Sequence, residues 1–183
     1  MAYMKLSNSD TYGQLNRYYS TQSAGIRLPE TSYSNNGGSG DRTSLIDITY
    51  GGGWYRANPI TNLIDGSLGT FIAVNNAVST SGCYLTFDFK VGNKVFIDSL
   101  KFYTTAITSY GFWNIIGSDD NSTWSSYLCD DTEIVNGSTV NPVIFNLYKN
   151  LNSYRYYKMI GISGTFGDDL YWPEVEFKIN DVL

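Results

Sequence analysis

The sequence predicts an all-β sandwich, and three observations carry that prediction. From Leu45 onward, short runs alternate apolar and polar residues with a period of two and are rich in β-branched and aromatic side chains. Clusters of Gly, Asn, Asp and Ser separate these runs. No helical stripe of comparable length accompanies them. Seven or eight such strands bury their inward faces most simply as two antiparallel sheets packed face to face.

Residues 1–40 read differently and are assigned to an N-terminal extended arm, with residues 41–183 as the folded domain. The arm is rich in Ser, Asn and Tyr and ends in Ser34-Asn35-Asn36-Gly37-Gly38-Ser39-Gly40, a composition that reads as a linker. Tyr12, Leu15 and Tyr19 share the spacing of one helical face, and Gly13 weakens that pattern. In Tyr84 to Phe89, alternation places Leu85, Phe87 and Phe89 on one face and Tyr84, Thr86 and Asp88 on the other. After a turn at Gly92-Asn93, Val95 to Tyr103 forms the next strand, with a break in phase at Asp98 that predicts a bulge or a turn. Phe112 to Gly117, Val143 to Leu147, Tyr154 to Ser163 and Val175 to Ile179 complete the set.

Composition narrows the chemistry. The 183 residues include 16 Tyr, 9 Phe, 4 Trp and 18 Gly but no His, so no histidine-based triad, metal site or acid/base pair can be built. Any catalysis would fall to carboxylates. Glu174 and Glu176 lie two apart on an expected strand, yet nothing around them supplies the cleft that glycoside hydrolysis requires. A net charge of −5 argues against nucleic acid and anionic membrane surfaces as partners. The start, Met1 to Asn8, lacks the apolar stretch of a signal peptide, and no membrane span follows, so folding in a cytoplasm is expected. Cys83 and Cys129 have no metal-type spacing and read as buried free thiols, with a disulfide between them left open.

Five segments, in order, resemble the discoidin or coagulation-factor type C family and its bacterial carbohydrate-binding relatives, which are galactose-binding-like jelly rolls. They are Asn58 to Phe71, Tyr84 to Phe89, Val95 to Tyr103, Ile115 to Trp124, and the pair Arg155 to Met159 with Glu174 to Phe177. The resemblance covers residues 44–179 and implies a discoidin-type jelly roll in which Trp124, with Phe87 and Phe89, plugs the core. It also implies a structural Ca²⁺ held by Asp65, Ser67, Thr70 and Glu174. Ser67 stands where the family often has a second Asp, which weakens that site.

Family ligand sites lie in loops at one end of the sandwich. Gly51-Gly52-Gly53-Trp54-Tyr55-Arg56 brings two aromatic rings and a planar donor fork into one loop, a combination suited to sugar or peptide recognition. Phe166, Tyr171 and Trp172 precede the last strand and are expected to approach it, so the expected ligand-binding set is Trp54, Tyr55, Arg56, Phe166, Tyr171 and Trp172. The competing reading makes some of these plugs for the sandwich end. Tyr110, Phe112 and Trp113 read as core or rim.

A binding fold without a secretion signal is reconciled by a bacteriophage virion protein, folded in the host cytoplasm and released by lysis. The leading expectation is therefore a non-enzymatic tail, head-decoration or fibre component. Its arm would dock on other virion proteins, and its jelly roll would contact a cell-surface glycan or a second copy of the chain. The alternative is an extracellular carbohydrate-binding module that assists a glycoside-processing enzyme. A third reading is a structural cement whose aromatic loops are buried between subunits.

Overall fold

A computed structural model describes residues 30–105, 108–135, 137–167 and 171–180 of the chain. The expected helical face at Tyr12–Tyr19 and most of the arm lie outside the described residues. Within them the chain folds as twelve strands and one short 3₁₀ turn. In order these are β1 (Thr31–Ser32), β2 (Asp47–Gly51), β3 (Tyr55–Ala57), the turn Ile60–Leu63, β4 (Ile72–Val74), β5 (Tyr84–Asp88) and β6 (Ile97–Phe102). There follow β7 (Phe112–Ser118), β8 (Thr132–Glu133), β9 (Val143–Asn146), β10 (Tyr156–Ser163), β11 (Tyr171–Trp172) and β12 (Val175–Asn180).

Two antiparallel sheets form the sandwich, one ordered β2-β5-β10-β7-β8 and the other β1-β12-β6-β9. The alternation read from the sequence decides which side chains meet between them. Leu85 and Phe87 of β5, Tyr157 and Met159 of β10, and Trp113 and Ile115 of β7 are buried on the first sheet. Leu100, Phe102, Phe145, Val175, Phe177 and Ile179 answer from the second. Phe87 and Phe177 meet edge to face across the gap with ring centroids 5.0 Å apart. Each fully buried ring of this kind contributes about 1.5–3 kcal/mol of transfer free energy.

Of the bulge or turn expected at Asp98, the structure shows the bulge. Lys178 pairs with Ser99 while Ile179 pairs with Ile97, so Asp98 is the extra residue on β6. The bulge lets Ile97 and Leu100 both reach the core although they are three residues apart. Asp98 turns outward, where its carboxylate accepts from Lys178 Nζ at 2.9 Å.

The boundary expected at residue 40 does not coincide with where packing begins. Thr31 and Ser32 extend the second sheet by pairing with Asn180 and Ile179 of β12. Tyr33 lies under Lys101 Nζ, 4.0 Å from the ring centroid, and its hydroxyl shares a hydrogen bond with Ser99 Oγ. The Gly-rich segment thus forms part of the fold's surface rather than a free linker, because its exposed backbone groups find partners on an otherwise open sheet edge.

Trp124 also departs from expectation. It is half-exposed, with Lys158 Nζ 3.8 Å from its ring centroid, and the residue that plugs the core on this return is Leu128. The reason is local. Ser118 Oγ and the Asp120 carboxylate satisfy the N–H groups of residues 120–123 in a tight turn, so the chain regains contact with β7 only at Ser125 and Leu128. Cys83 and Cys129 are free and buried, and burial pushes both thiols up to about 11.

Candidate functional site

A third, small sheet ordered β11-β4-β3 closes the end of the sandwich where β6 finishes and β7 and β12 begin. Trp172 of β11 packs against Phe102, Tyr110 and Trp113, which fixes this placement. The loop that feeds β3 is pinned by Asn75, whose backbone N–H bonds the Trp54 carbonyl at 2.8 Å and whose side chain bonds the Gly53 carbonyl at 3.1 Å. Held this way, Trp54 points inward and donates from Nε1 to the Tyr84 carbonyl at 3.3 Å.

The six expected ligand-binding residues therefore divide. Trp54, Phe166 and Trp172 are 0%, 1% and 0% exposed and stack on one another, Trp54 on Trp172 at 4.8 Å and Phe166 on Trp172 at 5.7 Å. They present no face to solvent and form a hydrophobic floor, correcting their expected place in the ligand loop. A three-stranded sheet of two- and three-residue strands has too few backbone bonds to stand alone, so these large rings supply its anchorage. Among the described residues, Trp172 Nε1 is the one buried side-chain nitrogen or oxygen without a hydrogen-bond partner. It lies in a cage of aromatic rings.

Tyr55, Arg56 and Tyr171 stay at the surface, with Tyr55 half-buried, Arg56 exposed and Tyr171 38% exposed. Two further aromatics join them without having been singled out in the sequence. Phe71 meets Tyr171 with ring centroids 4.1 Å apart, and Tyr50, 40% exposed, meets Tyr55 at 4.5 Å. Two ring pairs thus flank β4, one beside β11 and one beside β3.

Their backbones are well held. The Phe71 carbonyl accepts from both Asn58 Nδ2 at 3.1 Å and Asn62 Nδ2 at 2.9 Å. Tyr171 exchanges two bonds with Thr105, its N–H donating to the hydroxyl and its carbonyl accepting the backbone N–H. The Tyr55 hydroxyl donates to the Asn58 carbonyl, and burial raises its pKa above the usual tyrosine value. A rim of aromatic faces beside a guanidinium fork can stack on apolar ring faces and donate to hydroxyls or carboxylates. No sequence signal separates Phe71 from a core residue, because its partner Tyr171 is 100 positions away.

The calcium reading meets a different arrangement. Arg42 is fully buried and its guanidinium donates to Glu174 Oε1, to the Gly40 carbonyl from Nε at 2.9 Å, and to the Gly38 and Val175 carbonyls from Nη1 at 3.0 and 2.7 Å. Glu174 Oε2 accepts the Gly66 N–H at 2.9 Å. Asp65 faces its own loop, accepting from the Ser67 N–H at 2.9 Å and from Thr70 Oγ1 at 2.7 Å. Among the described residues no group of three or more His, Cys, Asp or Glu side chains is placed to hold a metal. Asp65, Ser67, Thr70 and Glu174 are thus near one another but already satisfied, and the chain's own cation holds Glu174, so this set does not fit Ca²⁺.

Glu176, the second carboxylate of the Glu174–Glu176 pair, is equally engaged. Glu176 accepts from Lys101 Nζ at 3.1 Å and from the Tyr103 hydroxyl at 3.0 Å. Burial followed by the neighbouring Glu176 raises the Tyr103 hydroxyl, and burial raises Glu174 against the pull of Arg42 and the Gly66 N–H.

No family model matches the sequence, and a search of curated proteins gives no match. Solved structures do match in fold. The CBM32 module of AlyQ in complex with 4,5-unsaturated mannuronic acid aligns with TM-score 0.52 at 20% identity over 72% of this chain and 92% of its own. The C-terminal domain of a chitobiase from Bacteroides fragilis aligns with TM-score 0.55 at 16% identity over 76% and 96%. A pectin binding carbohydrate binding module gives 0.53 at 16% over 73% and 89%. With the two-sheet topology above, these likenesses make the fold a galactose-binding-like jelly roll of the kind seen in CBM32 domains.

Proposed function

We propose that this domain is a non-catalytic carbohydrate-binding module whose ligand rests on the rim formed by Tyr55, Arg56, Phe71 and Tyr171. The observation that carries the reading is the Phe71–Tyr171 ring pair, Phe71 half-buried and Tyr171 exposed, beside a fully buried aromatic floor. Aromatic mass in a folded domain is ordinarily spent on the core, and here the floor already plugs this end. Rings left in water and fixed by backbone bonds offer preorganised stacking faces. Glu174 and Glu176, the carboxylates two apart on the closing strand segment, are both engaged by cations of the fold itself.

One matched module is a complex with a mannuronic acid and another is pectin binding, so acidic as well as neutral saccharides belong in the first screen. Arg56 supplies the matching donor fork. A glycan array carrying alginate, pectin and neutral oligosaccharides tests the reading. Binding that falls at least about tenfold in Tyr171→Ala, with the melting temperature kept, supports it; an array without hits overturns it. The virion-surface role, with arm-mediated partners and self-association, draws no support from these fold likenesses. It stands as a separate proposal, which fails if the protein is absent from isolated particles by mass spectrometry.

A further inference from the structure

We infer that Arg42 is a built-in structural cation, a covalently tethered replacement for the metal ion that the fold's resemblance implies at this corner. The argument rests on what surrounds the guanidinium. Three main-chain carbonyls, from Gly38, Gly40 and Val175, and the Glu174 carboxylate converge on it from the Gly-rich segment and the start of β12. An inward set of carbonyls and a carboxylate is the oxygen environment a hard cation collects. A guanidinium satisfies it instead with directional N–H donors and one permanent charge.

The surrounding backbone is shaped for the same contact. The Arg42 N–H bonds the Ile64 carbonyl at 2.9 Å, and its own carbonyl accepts from the N–H groups of Leu45 and Ile46. Gly66 has φ +76°, and a Cβ there would lie 2.4 Å from the Gly40 carbonyl carbon, so only glycine lets this turn close on the segment that cradles Arg42. The Gly66 N–H then fills the second oxygen of Glu174. Phe177 covers the guanidinium from below, its ring centroid 5.7 Å from Arg42 Cζ. One side chain thereby ties together the Gly-rich segment, the Asp65 turn and the last strand.

A tethered cation cannot be removed by a chelator or supplied by mass action. The test is a set of thermal melts of the full chain in millimolar CaCl₂ or EDTA, with native mass spectrometry to count bound calcium. The expected result is the same melting temperature in both solutions and no bound Ca²⁺. Arg42→Ala is expected to lower the melting temperature by more than about 6 °C, because it strands a buried carboxylate. Arg42→Lys is expected to fall between the two, since an ammonium keeps the charge but loses the fork. A calcium-dependent rise in the wild-type melting temperature, or one Ca²⁺ bound per chain, overturns the inference, and that measurement stands even if Arg42→Ala does not fold. Wild-type stability in Arg42→Ala overturns it as well.

Discussion

Trp54 and Tyr55, like Tyr171 and Trp172, are neighbours in sequence and share much of their chemistry, yet each pair is split between the buried floor and the exposed rim. For Tyr171 and Trp172 the split follows from strand geometry, since adjacent residues on a strand point to opposite faces. Trp54 lies just before β3, and the bonds of its carbonyl to the Asn75 N–H and of its Nε1 to the Tyr84 carbonyl turn it inward while Tyr55 stays at the surface. The comparison teaches that an aromatic-rich loop cannot be read as a ligand site residue by residue. The same few positions hold both the anchor of the small sheet and the surface it presents.

The comparison can be broken most severely at the floor. Trp172→Ala should destabilise the domain by about 3–5 kcal/mol, the usual cost of emptying a buried aromatic site, and a large loss in chemical or thermal melts checks it. If Trp172→Ala melts like the wild type while abolishing glycan binding, floor and rim have been assigned the wrong way round. At the rim, Phe71→Ala should weaken binding by about 1–2 kcal/mol with a much smaller change in stability, measured by titration calorimetry alongside a melt.

Trp124 sharpens the contrast between buried and exposed tryptophans. Its contact with Lys158 is half-exposed, so Trp124→Ala should cost only about 0.5–1 kcal/mol, and a loss on the scale of Trp172→Ala would restore it to the core. The smallest effect is expected at the Asp120 turn. The N–H groups of Thr123 and Ser122 hold the Asp120 carboxyl well below the usual carboxylate range. A depressed folded pKa contributes stability above the unfolded value of about 3.9, and that contribution is lost as pH falls toward the folded value. The protection of the Ser122 and Thr123 amides, the factor by which their exchange is slowed relative to an unstructured amide at the same pH, should therefore stay constant from neutral pH down to about pH 5 and fall only below about pH 4. Loosening already near pH 6 would refute this account.

Much of the sandwich was legible because its long strands obey a local rule. Tyr84–Asp88 and Val175–Asn180 carry their inward face in their own alternation, Phe112–Ser118 shows instead as an apolar-rich run buried on both faces, and even the irregularity at Asp98 shows as a break in phase. The strands of two or three residues, β1, β3, β4, β8 and β11, are too short to carry a period, and pairing with distant partners defines them. Of the candidate site, composition drew together Trp54, Tyr55, Arg56, Phe166, Tyr171 and Trp172, but gave no sign of Phe71 and Tyr50 beside them, nor of the burial of Trp54, Phe166 and Trp172. Arg42 carried no signal at all, being one basic residue in a polar turn.

What the sequence by itself determined was the class of the fold and the range of chemistry open to it. Without histidine, and with aromatic β-runs punctuated by turn formers, an antiparallel sandwich without imidazole chemistry is the consistent reading. What tertiary structure decided was direction and partnership. It chose which ring of each adjacent pair faces water, and it brought Arg42 to Glu174 across 132 positions. The physical reason is range: alternation and turn propensity act over a few residues, whereas burial and ion pairing depend on neighbours that only the closed fold supplies.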